Sequence, residues 1–242
     1  MTQKVMVVLS GIMRHSQLLG RIERNPVQPV RIAQPRRKRA IRPLAPETIE
    51  RMRAFALGRG HVREAALLAV MGYAGLRPGE AFALTWDCLG ERSLIVEHGR
   101  ADGELKETKT RKIRTVGLLA PVAEDLGVWR ERAPRPGDAT LIFPRTDGAV
   151  FSDTDYRNWR TRHFGPAAVA AGVEEATPYT LRHSFASLLV QAGWNPLEIA
   201  VEMGNSPEVV GRDYSHLFRE LARGRQVDPE ATIVEARAVA TA

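Results

Sequence analysis

Between Thr177 and His216 the apolar residues recur at helical spacing in three short runs. In the first, Leu181, Phe185, Leu188 and Leu189 fall at i, i+4, i+7 and i+8, the stripe of a helix that faces a core. Thr177-Pro178 precedes it, and Asn195-Pro196 and Ser206-Pro207 open the next two. Asn or Ser accepts a free backbone N–H at a helix start, and Pro there has no N–H to leave unpaired. Arg182 lies at the edge of the apolar stripe, so a packed platform offers one Arg and a later helix offers Tyr214.

Upstream, Val5, Val8, Leu9, Ile12, Leu19 and Ile22 share a broad face over residues 3–23, which predicts a helix. Asn25-Pro26 ends it, and Pro29, Pro35 and Pro43 predict an extended linker to Pro43. A face this apolar needs a partner, either a preceding domain or the main domain. Helices are expected from Pro46-Glu47, with Ile49, Met52 and Phe55 inward, and from His61 to Tyr73. Gly75-Leu76-Arg77-Pro78-Gly79-Glu80 reads as a break and restart, with Glu80 in a first turn where the helix dipole favours an acid. The period then changes. Residues 93–97, 105–108 and 112–118 read as three strands, with Lys109-Thr110-Arg111 as a tight basic connection. Helices return over 121–132 and 153–171, and the tail from Gln226 to Ala242 is a mobile or packing arm. The fold class is therefore mainly α with a small antiparallel β-sheet (α+β).

Composition narrows the class. Of 242 residues 44% are hydrophobic and 26% charged, ordinary for a soluble globular chain. No apolar run reaches the roughly 20 residues of a membrane span, and no signal peptide is evident. Cys88 is the single cysteine, which excludes an internal disulfide and a cysteine zinc site and suits a cytoplasmic location. His61, His98 and His163 lack metal-ligand spacing, so no metal is expected. The net charge is +7, yet residues 1–43 hold ten Lys/Arg against one Glu, leaving −2 for the other 199 residues. The excess centres on Arg36, Arg37, Lys38 and Arg39. Such a run is either a solvated linker or a sequence-blind contact to a polyanion such as DNA.

Arg77 stands at a helix start, where free backbone N–H groups help hold an oxyanion. Lys109 sits in a cluster with Arg111, Lys112 and Arg114, which taken alone is an exposed turn. The order Gly-Leu-Arg-x-Gly-Glu, Lys-Thr, Leu-Arg-His-Ser-Phe-Ala-Ser, Met-Gly-x-Ser, Tyr-Ser-His resembles the catalytic domain of the tyrosine recombinase (phage integrase) family. The resemblance covers about Leu44 to Leu217. It implies a remnant last helix of a core-DNA-binding domain (1–26), a basic linker (27–43), the catalytic domain (44–224) and a C-terminal tail (225–242), with most of the preceding domain missing.

The resemblance implies roles as well. Arg77 and Arg182 clamp the scissile phosphate with planar guanidiniums. Tyr214 is the nucleophile that forms a 3′-phosphotyrosine, and Lys109 is the general acid for the leaving 5′-oxygen. The family's histidine three residues before the second Arg is Tyr179 here, and its His or Trp after Met-Gly is Asn205. Both can donate to a phosphate oxygen, and neither is a base near neutral pH. Glu80 orients Arg77 or another structural group. The resemblance implies a site-specific recombinase from a mobile element. It would act without cofactor on double-stranded DNA as a homotetramer, with accessory DNA-bending proteins in some cases and no membrane. Arg36, Arg37, Lys38, Arg39, Arg111 and Lys112 would touch DNA. The competing readings are a weakly active or inactive DNA-binding remnant and a related strand-passing enzyme, a type IB topoisomerase or telomere resolvase.

Overall fold

The computed structural model describes residues 2–28, 42–101, 103–107, 113–134, 137, 139–221 and 227–241. The chain forms two compact units, 1–40 and 41–242. In the first, α1 (Thr2–Leu18) runs to a turn where Asn25 folds back. The Asn25 amide donates to the Ser10 carbonyl at 3.1 Å. Val5, Val8 and Ile12 along α1 are exposed.

The second unit is built around α3 (Val62–Tyr73), whose residues are nearly all buried. Its alanines let neighbours come close: α2 (Pro46–Gly58), α5 (Ala120–Arg132) and α8 (Pro178–Gln191) all pack on it. Ile49 from α2 lies over Gly72, where an added Cβ would meet Ile49 Cγ2 at 3.1 Å. Each fully buried Leu, Ile or Met of this layer contributes about 1.5–3 kcal/mol. After α3 come the one-turn α4 (Pro78–Ala81) and a 3-10 turn, Trp86–Cys88.

Among the described residues the β structure is two antiparallel ladders, where three strands of one sheet were expected. β1 (Ser93–Val96) pairs with β4 (Arg114–Gly117), and β2 (His98–Ala101) pairs with β3 (Glu104–Glu107). The extra strand is β2, whose His-Gly-Arg-Ala carries no alternating apolar pattern to announce it. The Lys109-Thr110-Arg111 connection lies outside the described residues.

The helix expected over 153–171 is interrupted. α6 (Asp153–Trp159) passes through a π turn, Arg160–Phe164, into α7 (Gly165–Ala170). Pro166 explains it: proline has no N–H for the ladder and its ring crowds the carbonyl four residues back, so the turn widens. Gly165 N donates five residues back, to Arg160 O. Three helices follow: α8, α9 (Pro196–Met203) and α10 (Pro207–Leu221). α9 starts as its dipeptide predicts, with Asn195 Oδ1 accepting from the backbone N–H groups of Leu197 and Glu198.

α8 serves two cores. Leu181 and Leu188 belong to the large layer around α3, while Phe185, Ala186, Leu189 and Val190 pack with Ile199, Met203, Val210 and Tyr214 from α9 and α10. Residues 229–241 form α11 (Pro229–Thr241), which lies on α2 and α5 with Ile233 and Ala236 buried. Arg237 on α11 meets Glu50 at 3.2 Å and Asp125 at 2.8 Å. Arg53 completes that cluster by a two-pronged contact to Asp125. No helix among the described residues is long and apolar enough to cross a membrane.

Candidate active site

The turn after α3 fixes the first arginine. Gly75 has φ +61°, and a Cβ there would stand 2.2 Å from Phe185 Cδ1, so no other residue fits without a shift. Arg77 is the extended residue before α4, and Pro78 takes the first helical position. Glu80 then closes back on it. Its carboxylate accepts from Arg77 N at 2.9 Å and from Arg77 Nη1 at 2.7 Å. The other terminal nitrogen, Nη2, donates to Gly204 O and to Asn205 Oδ1, each at 2.8 Å.

Arg182 reaches the same place from α8 and is only 4% exposed. Its Nη1 donates to Gly75 O, and its Nη2 donates to Met203 O and, at 3.1 Å, to Asn205 Oδ1. Asn205 is thus a common acceptor for both guanidiniums. It is placed by Gly204, which ends α9 with φ +61°. Arg114 on β4 adds a third guanidinium and grips Glu80 through both terminal nitrogens, at 3.1 and 2.7 Å.

Three guanidiniums share one buried carboxylate here, so the cluster carries a surplus of two positive charges. Burial pushes the Glu80 carboxyl up, but the bonds and charge of Arg114, with those of Arg77, outweigh it and hold the pKa down at about 2. Glu80 is therefore ionised at any ordinary pH. Burial lowers the Arg182 pKa to about 9, helped by the charges of Arg77 and Arg114 and opposed by Glu80. Arg182 is still a cation at neutral pH. The Arg77 side chain keeps 35% of its surface open to solvent, the side from which an anion can arrive. Such a cluster can take up a phosphodiester and stabilise added negative charge on it.

Tyr214 is 2% exposed and forms part of the core between α8, α9 and α10. Its hydroxyl lies 2.5 Å from His183 Nδ1. Burial raises the phenol's pKa; Arg182 works against that and Asp213 with it. Burial, and then Arg182, lower the pKa of His183, while Asp213 raises it. A neutral phenol facing a neutral imidazole is the favoured state.

The structure brings together Arg77, Arg182 and Asn205, with Tyr214 close enough to feel the charge of Arg182. It does not bring Tyr179 into the cluster. That side chain is 52% exposed in the first turn of α8, near the phenol of Tyr156. Lys109, Arg111, Lys112 and Arg36, Arg37, Lys38 and Arg39 lie outside the described residues. The sequence reading missed the weight of two residues. Arg114 was one cation among four in a basic run, and only the pairing of β4 with β1 aims it at Glu80. His183 lies 31 positions before its partner Tyr214, a separation no local pattern reveals.

A helical domain with small antiparallel ladders, a pair of arginines on one asparagine and a tyrosine beside them is the class that emerges. The chain belongs to the phage integrase family, whose model matches residues 42–220. Among curated relatives it is similar to tyrosine recombinase XerD of Pseudomonas putida, 31% identical over 165 residues, 65% of this chain and 50% of that one. It is also similar to tyrosine recombinase XerC of Herpetosiphon aurantiacus, 26% identical over 162 residues, 66% of this chain and 50% of that one. The chain spans about half the length of these relatives. In fold it matches the Tn1549 transposon integrase in complex with a circular intermediate DNA, with TM-score 0.76 and 20% identity, over 91% of this chain and 76% of that one. It also matches XerA recombinase, with TM-score 0.58 and 19% identity, over 92% and 74%. The fold is that of a tyrosine recombinase catalytic domain, as the sequence motifs imply.

Proposed function

We propose that this chain is a site-specific DNA recombinase that cleaves and rejoins strands of duplex DNA through a 3′-phosphotyrosyl link to Tyr214. The observation that carries the reading is the joining of Arg77 and Arg182 on Asn205 Oδ1, with a surplus of positive charge, next to Tyr214. A scissile phosphate would replace part of that hydrogen bonding and lie between the two guanidiniums. Arg114 and Glu80 would hold the arginines in place and act as positioning residues. Attack by the phenol exchanges one phosphodiester for another, so the bond energy is kept and the chemistry needs no nucleotide triphosphate. Lys109 would protonate the leaving 5′-oxygen. The basic residues 36–39, with Arg111 and Lys112, would add contacts to the DNA backbone. Four copies on two duplexes would complete an exchange, with accessory DNA-bending proteins where the site demands them.

A duplex nicked close to the cleavage position tests the reading, because the short fragment diffuses away and traps the protein on DNA. The expected result is a covalent adduct on a denaturing gel that Tyr214→Phe abolishes while duplex binding persists. Binding to a verified cognate site with no adduct from the unaltered chain overturns it.

A further inference from the structure

We propose that His183 is the base that takes the phenolic proton of Tyr214. The proposal rests on the reading of Tyr214 as nucleophile. Three observations carry it. First, His183 Nδ1 is 2.5 Å from the reacting oxygen. Second, neither Tyr179 nor Asn205 offers a base to the phenol. Tyr179 stands half exposed by Tyr156, and the Asn205 oxygen accepts from both arginines. Third, the same two charged neighbours act on both partners of this contact. Arg182 adjoins His183 on α8, while Asp213 faces it from α10 and is itself paired with Arg212.

At rest the charge of Arg182 disfavours an imidazolium, so the proton stays on the phenol. A phosphodiester bound to Arg182 offsets that charge. That favours the imidazolium and equally removes support from a phenolate, so the proton passes to His183 as the Oη–P bond forms rather than before it. In cleavage the Oη–H bond breaks with its proton passing to Nδ1. The Oη–P bond forms, the P–O5′ bond breaks, and the 5′-oxygen takes a proton from the general acid. In rejoining, a 5′-hydroxyl returns its proton to the conjugate base of the general acid and attacks phosphorus, the Oη–P bond breaks, and Tyr214 Oη recovers its proton from His183. Each step conserves protons and electron pairs without a co-reactant.

The test compares the unaltered chain with His183→Gln in single-turnover cleavage of the nicked duplex between pH 5 and 8.5. His183 acts when neutral and its pKa is lowered, so the rate should climb with pH below the ordinary histidine value of about 6.5. Above that it should level. The variant should cleave about 10²–10³-fold more slowly, lose the levelling and bind duplex unchanged. A variant as fast as the parent, or faster, would show that His183 merely parks the phenol. A slower variant with the parent's pH profile would show a structural role. Either result overturns the proposal. A second measurement needs no turnover. Nitrogen-15 histidine NMR should find His183 as the Nε2–H tautomer with Nδ1 accepting, a signature that shifts in Tyr214→Phe. An Nδ1–H tautomer overturns the proposal even if the chain forms no adduct on any duplex, the outcome that would instead remove the strand-cleavage reading.

Discussion

Two buried glutamates in this domain live in opposite circumstances. Glu80 holds three arginines, Arg77, Arg114 and Arg182, and the cluster is left with excess positive charge. Glu50 shares two arginines, Arg53 and Arg237, with a second acid, Asp125, and that buried cluster is balanced, with the exposed Glu124 3.8 Å from Arg237 at its rim. The carboxyl pKa moves accordingly. Glu80 is held at about 2, whereas burial dominates at Glu50 and leaves it raised despite Arg237 and Arg53. The balanced cluster ties α11 to α2 and α5. The unbalanced one leaves an arginine side open to solvent. Excess charge of one sign costs folding energy, a cost that the proposed phosphate site would offset by receiving an anion.

The largest effect should come from the glutamates themselves. Glu80→Gln removes the one anion that pairs with the buried Arg114 and Arg182 and the partly exposed Arg77, and should cost about 3–5 kcal/mol in urea unfolding. Glu50→Gln leaves Asp125 to hold both arginines and should cost about 1 kcal/mol. Equal losses would end the contrast. Acid should separate the two by sign. Glu80 falls from its ordinary 4.5 to about 2, so its roughly 3 kcal/mol is present above pH 4.5 and lost as pH drops towards 2. Glu50 is raised above 4.5, so its share grows as pH falls from that raised value towards 4.5 and is fully present below it. Unfolding at pH 5 and pH 3 should therefore show a net loss that is clearly smaller in Glu80→Gln, where Asp155 and Glu208 still contribute.

Asn205→Asp sharpens the point further. A carboxylate between the two guanidiniums cancels half of the surplus charge. Single-turnover cleavage should slow about 10²-fold while the urea midpoint holds or rises. A fall in both would mean that the surplus has no functional part. The smallest effect is a control. Arg92 pairs with Glu230 at the surface, its side chain 65% exposed, and Arg92→Ala should change stability by no more than about 0.5 kcal/mol.

Much of this was readable in advance because it is local. The cap-and-proline start of α9, the Gly-Leu-Arg-Pro-Gly-Glu break and the stripe on α8 are each decided within a few residues. What escaped depends on distance. β2 has no apolar alternation, and its existence follows from pairing with β3. Pro166 widens a helix without ending it, and the chain continues as α7. Arg77, Arg182 and Asn205 could be named from motif order, but their hydrogen bonds to one another belong to the tertiary arrangement. The same is true of His183, whose hydrogen-bond partner is set only when α10 places a phenol against it.

Gly75 and Phe185 carry a consequence for how such a sequence can drift. The ring fills the space a Cβ at position 75 would need, and the Gly75 carbonyl holds Arg182. Neither position can change alone without disturbing the other. Gly75→Ala should be rejected beside Phe185 and better tolerated beside a smaller residue, although the positive φ still strains it. The two sites, 110 positions apart, form one heritable unit, and a library varied at both should return them as correlated pairs.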